Sequence, residues 1–195
     1  SYNVSTIISK PGLLMIVLMS KQRSGLRISM QCMQVAKRIA NTRLDLPKIA
    51  ERGNSMEEIK SFFRSRQPVN LIIVAANILV FLVLSFLGDT ENAAFMAAHG
   101  ASVTAYVEHG EYYRLFTCMF LHFGLEHLFY NMLVLIFLGD ALEEAVGKVR
   151  YLVIYLGGGL IGNVVSVLIE MQKGESIVSA GASGAIFSVI GALVF

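Results

Sequence analysis

Ser183 is the residue of this chain best placed to act as a nucleophile. It lies in Gly181-Ala182-Ser183-Gly184-Ala185-Ile186-Phe187, at the mouth of an apolar segment that runs on to Phe195. Small neighbours leave a hydroxyl accessible, and the N–H groups of a helix start point toward any negative charge that develops beside it. Upstream, His122-Phe-Gly-Leu-Glu-His127-Leu-Phe-Tyr-Asn131 opens another apolar segment. His127 and Asn131 stand four residues apart, so a helix places them on one face, with His122 just before the helix begins. A polar pair inside an apolar span is costly unless it faces protein or water, which makes it a candidate functional site.

The elements that must position these residues are membrane spans. The chain of 195 residues is 55% hydrophobic and only 15% charged, which excludes an ordinary soluble domain. Val69 to Leu87 is almost continuously apolar and close to the ~20 residues that cross a bilayer. Gly124 to Gly139, Tyr151 to Met171 and Ser179 to Phe195 supply three more expected spans, the last at the minimum length. Between them lie a long mixed loop, Gly88 to Phe120, and shorter connectors over Asp140 to Arg150 and Gln172 to Val178. A loop of the first length is expected to carry structure of its own.

Charge is divided sharply along the chain. Before Val69 there are twelve Lys or Arg against four Asp or Glu; after it, four against ten. A basic segment preceding a first span, without a dense basic run, indicates membrane orientation rather than nucleic acid binding, and places the N-terminus in the cytoplasm. The long loop, the His122 cluster and the start of the Ser183 segment then share the outer face. Cys32 and Cys118 fall on opposite sides, which argues against a disulfide between them.

Residues 1–68 read as a small cytosolic α+β or partly ordered extension, and residues 69–195 as the transmembrane domain. The extension holds a possible hairpin, Asn3 to Ile8 and Leu13 to Met19 around Lys10-Pro11-Gly12, then amphipathic patterns over Leu26 to Arg43 and Ser55 to Arg66. Ser55 followed by Glu58 fits a capping box at the start of the second.

Each chemical reading has a structural competitor. Gly181, Gly184, Ser188 and Gly191 recur at helical spacing as one small face, and Gly158-xxx-Gly162 offers a matching surface, as close helix packing in membranes requires. That face also suits self-association. His127 and Asn131 could form an interhelical hydrogen-bond pair, or line the polar pathway of a transporter. His122, His127 and Glu126 do not have the spacing of a tight metal site. No metal or other cofactor is expected.

Four motifs together resemble one family. Gly181-Ala-Ser183-Gly184, the His122…His127…Asn131 array, the loop sequence Glu111-Tyr-Tyr-Arg114-Leu-Phe-Thr-Cys-Met-Phe-Leu-His122 and Gly157-Gly-Gly-Leu-Ile-Gly162-Asn163 look like the rhomboid intramembrane serine proteases, in the family's order. The resemblance covers roughly residues 69–195. It implies an all-α polytopic bundle with four helices present of six or more, and cleavage of transmembrane protein substrates within the lipid bilayer near its outer face. Ser183 would be the nucleophile, with His127, Asn131 and the Ser183 N–H forming the oxyanion hole. His122, Gly181 and Gly184 would shape the site, and Arg114 would follow Tyr113 where the family more often has Trp-Arg. A multi-pass protein of a bacterial plasma membrane is expected. One departure bears on activity: the family's base is a histidine of the sixth helix, and none of His99, His109, His122 and His127 matches it. These 195 residues are therefore expected to lack substantial protease activity. The competing expectation within the resemblance is a pseudoprotease that binds transmembrane segments without cleaving them.

Overall fold

The computed structural model describes residues 66–194. The hairpin, the amphipathic pattern over residues 26–43 and nearly all of that over residues 55–66 lie outside the described residues. Helix α1, Pro68–Leu87, begins with a proline whose missing N–H would have had no intrahelical acceptor. It leads into the long loop, which holds α2 (Ala93–Ala98), strand β1 (Ser102–Val103), α3 (Thr104–Glu108), α4 (Arg114–Thr117) and a 3₁₀ turn over Cys118–Phe120. Asn92 caps α2 by accepting from the N–H groups of Ala94 and Phe95 at 2.9 and 3.1 Å.

The chain then returns through α5 (Gly124–Val134), a π-helical segment (Leu135–Gly139) and α6 (Asp140–Val146). Helix α7, Lys148–Lys173, crosses back; strand β2, Val178–Ser179, pairs antiparallel with β1; and α8, Ser183–Val194, re-enters the bundle. Among the described residues three stretches are long and apolar enough to cross a membrane: Pro68–Leu87, Gly124–Val146 and Lys148–Lys173. Helix α8 is apolar but shorter. Exposed Ile72, Leu79 and Phe86 on α1, and Val153, Ile161 and Leu168 on α7, form the kind of apolar surface that lipid covers.

The connector expected over residues 140–150 is instead helix, broken only at Gly147, whose φ of +85° favours a residue without Cβ. The reason lies in two of its charges, Glu143, which is buried, and Asp140, which is half-buried, both bonded to the start of α1 rather than solvated. Glu143 accepts the backbone N–H groups of Val69 and Asn70 at 3.1 and 2.7 Å, closing the start of α1 with an acceptor where the helix presents orphan donors. Asp140 accepts from Asn70 Nδ2 at 2.7 Å and pairs with Arg66 at 2.9 Å. The π segment widens the helix, and polar side chains take its carbonyls: Asn70 Nδ2 donates to Leu135 O at 2.8 Å and Arg66 to Ile136 O at 3.2 Å. The Tyr151 hydroxyl completes the knot by donating to Asn70 Oδ1 at 2.6 Å.

The core gathers Met132, Leu135, Leu138, Tyr155, Ala185 and Val189. Helices α7 and α8 make its most extensive helix–helix contact. A Cβ on Gly158 would collide with Cβ and Oγ of Ser188, and one on Gly159 with Met119 and, at 2.9 Å, with Ala185 Cβ. Part of the small face of α8 is thus used inside the chain, against α7.

Adjacent glycines of α7 should therefore respond with opposite sign. Gly157→Ala has open space around its new methyl and is expected to hold or raise stability by ~0.5 kcal/mol through helix propensity. Gly158→Ala is expected to lose ~1–3 kcal/mol by overpacking against Ser188. Unfolding in detergent, followed by helical signal, measures both.

Candidate active site

The residues singled out from the sequence meet where α5 begins and α8 begins. Three contacts bring the segments together. The Gly181 N–H donates to Cys118 O at 2.9 Å, the Ala182 N–H donates to His122 Nε2 at 3.3 Å, and the His127 ring lies over Gly181. A Cβ on Gly181 would stand 2.7 Å from His127 Cε1, and its φ of +131° is one that side chains rarely adopt. Both facts require glycine two residues before Ser183. The His122 and His127 rings meet edge to face at 5.2 Å. Ser183 is the first residue of α8, so its N–H has no acceptor within the helix.

Asn131 lies one turn below His127, where the spacing puts it, and is buried. Its Nδ2 donates back to the His127 carbonyl at 2.9 Å, which couples the amide to the backbone that carries the imidazole. Gly184 faces α7, with Asn163 Oδ1 and Gly159 O each 3.7 Å from where its Cβ would be. Asn163 in turn donates to Leu115 O at 2.7 Å and to Cys118 Sγ at 3.1 Å, tying α7 to the loop.

Arg114 lies elsewhere, as a brace inside the loop. Its guanidinium donates to Ala97 O and Ala101 O at 2.6 and 3.0 Å, pairs with Glu111 at 2.7 Å, and lies near the rings of Tyr106 and Tyr113. The Arg114 and Tyr113 hydrogen bonds hold the Glu111 carboxyl below its ordinary range. His99 and His109 each donate Nδ1–H to a carbonyl of their own helix, at 2.7 and 2.6 Å, and take no part in the cluster. Among the described residues no three His, Cys, Asp or Glu side chains converge as a metal-ligand set.

His122 is fully buried, and burial first and the neighbouring His127 second push its pKa from 6.5 down to about 3. It is therefore neutral at pH 7. Because Nε2 accepts the Ala182 N–H, the proton sits on Nδ1. Cys118 is a free, buried thiol whose pKa burial raises to about 12, so it stays protonated and unreactive.

Sequence reasoning missed the polar contacts that hold the loop down. Thr104 Oγ1 donates to Glu170 Oε2, and Ser166 Oγ donates to Glu170 Oε1 at 3.1 Å. A single acidic residue near the end of an apolar span reads as an interfacial charge. Nothing in the local pattern links it to a threonine in another segment.

The Rhomboid domain family model matches residues 109–195, the stretch that holds His122, His127, Asn131 and Ser183. The rhomboid YdcA of Bacillus subtilis is 34% identical over 147 residues, which cover 71% of this chain and 67% of that protein. The chain belongs to the rhomboid family. Rhomboid protease GluP of the same bacterium is 36% identical over 138 residues, covering 71% of this chain but only 26% of GluP. RHOMBOID-like protein 5 of Arabidopsis thaliana is 44% identical over 95 residues, covering 49% of this chain and 30% of the plant protein. This rhomboid chain thus spans about a quarter of GluP and two thirds of YdcA. As a rhomboid it is an integral membrane protein.

Two outcomes are expected of the site. Gly181→Ala should cost ~1–3 kcal/mol from backbone strain and shift the His127 ring resonances in the NMR spectrum. The second concerns acid. A histidine whose folded pKa is lowered binds its proton more readily in the unfolded chain, so the stability it contributes is present above 6.5 and lost as pH falls toward 3. The melting temperature should drop over that window, and less steeply in His122→Gln, whose amide oxygen can still accept the Ala182 N–H.

Proposed function

We propose that this chain is part of an intramembrane serine endopeptidase that cleaves transmembrane-helix substrates near one membrane face, with Ser183 as nucleophile. The observation that carries the reading is the convergence on Ser183: the His127 ring packs on Gly181 and His122 accepts the Ala182 N–H, on the two residues that precede the serine. In this reading Ser183 Oγ attacks the scissile carbonyl carbon, and the oxyanion is held by His127, Asn131 and the Ser183 N–H. The amine leaves with a proton, and water then releases the acyl group from the serine. The neutral His122 acts by fixing the backbone of residue 182, and Gly181 and Gly184 act by leaving room for His127 and α7.

The base that takes the serine proton is not among the four histidines of this sequence. His122 is held by the Ala182 N–H, His127 is assigned to the oxyanion, and His99 and His109 are turned to their own helices. The family pattern assigns that role to a histidine of a sixth helix, which none of these four matches, and in this reading the 195 residues do not cleave on their own. Helix α8 supplies the fourth span in this reading. The basic excess before residue 69 sets the N-terminus in the cytoplasm and the Ser183 end of the bundle toward the outer face.

The test is cleavage of a transmembrane reporter in liposomes by the protein expressed from its full reading frame. Ser183→Ala should abolish turnover, and His127→Ala or Asn131→Ala should each lower kcat by ~10²–10³. Cleavage that survives Ser183→Ala would refute the serine mechanism. An inert wild type that still captures transmembrane helices would make the protein a rhomboid-like binder.

A further inference from the structure

Glu170 stands in the last turn of α7, 7% exposed, and among the described residues it forms no ion pair. A carboxylate removed from water without a cation is costly, and the cost is reduced only by strong hydrogen bonds to it. Both of its oxygens are so occupied. Oε2 accepts the Thr104 hydroxyl and Oε1 accepts the Ser166 hydroxyl at 3.1 Å. Ser166 lies one turn away on the same helix, whereas Thr104 belongs to the loop and is the first residue of α3.

Thr104 follows β1 directly. That strand pairs with β2 in the register Ser102↔Ser179 and Val103↔Val178, and β2 ends four residues before Ser183. The loop end of the ladder is anchored to α7 through Glu170. One residue further along α3, the Ala105 N–H donates to Ser176 Oγ at 3.4 Å, a weaker second link between the loop and the turn after α7. The main chain of Glu170 contributes as well, since its carbonyl accepts the Glu175 N–H at 3.0 Å and so closes that turn. One residue therefore sets the height of the loop on α7 and the exit of the chain toward the serine.

We propose that Glu170 is a positioning residue for the Ser183 site. Through Thr104 it holds β1, and through the β1–β2 ladder it holds the backbone that presents Ala182 and Ser183 to the two histidines. The proposal rests on Ser183 as nucleophile for its catalytic consequence, but not for its structural one.

The experiment uses the protein from its full reading frame in liposomes, with Glu170→Ala, Glu170→Gln, Thr104→Val and the Glu170→Ala/Thr104→Val pair. Amide exchange at residues 102–103 and 178–182 should be about 10- to 100-fold faster in Glu170→Ala, as loss of a hydrogen bond to a charged group implies. On the transmembrane reporter, Glu170→Ala and Thr104→Val should each lower kcat about tenfold or more with KM little changed, since a small displacement of the reacting group acts on the chemical step. Glu170→Gln, which keeps an acceptor for Thr104, should recover most of that loss. The double variant should be no worse than the poorer single one, because both remove the same link. Unchanged exchange in Glu170→Ala, or losses that add in the double variant, would overturn the proposal. Faster exchange in Glu170→Ala beside a wild type that does not cleave would leave the anchor standing and remove the serine reading instead.

Discussion

A backbone N–H or C=O released from a helix inside a bilayer has no water to turn to, and the architecture of this chain follows from that constraint. At both ends of the bundle, departures from regular helix are matched by protein groups. At the Arg66 end, the start of α1 presents N–H groups that Glu143 accepts, and the π segment of the second span presents carbonyls that Asn70 and Arg66 take. At the Ser183 end, the break between α7 and α8 is held by the β1–β2 ladder, by Gly181 N–H on Cys118 O and by Ala182 N–H on His122. The proposed site lies at the second of these repairs.

Close approach of α7 and α8 makes the second repair possible. Gly158 and Gly159 let Ser188, Ala185 and Met119 sit where side chains would otherwise stand. The loop residue Met119 is thereby drawn into the same contact as the helix that begins at Ser183. Asn163 strengthens this from α7, reaching the loop at Leu115 and Cys118. The loop is therefore part of the bundle, fastened from within by Arg114 on the carbonyls of Ala97 and Ala101.

Burial also decides the electrostatics beside the serine. A neutral His122 can accept an N–H, whereas a charged one could not, so its low pKa and its bond to Ala182 are two expressions of one state. A site built from neutral donors and backbone dipoles is suited to negative charge that appears only during a reaction.

Much of this was legible in the sequence because it depends on composition and local spacing. Of the four apolar stretches expected to span, three are long enough among the described residues, and the resemblance to rhomboids is carried by short motifs around Ser183, His127 and Asn131, which the family comparison bears out at the level of the family. The glycine spacing of α7 and α8 also anticipated their contact. What the sequence misread were charges. Asp140 and Glu143 look like a solvated connector, yet they lie in a helix, because their partners Arg66 and Asn70 come from the start of another span. Arg114 belongs to the loop in sequence as well, but its bonds to the carbonyls of Ala97 and Ala101 are visible only in the tertiary structure. Glu170 gave no signal, since its partner Thr104 is distant in sequence and meets it only when the loop folds down on α7. Local apolar pattern determines where helices run, whereas the worth of a buried charge is decided by which other segment brings its partner, and only the tertiary structure settles that.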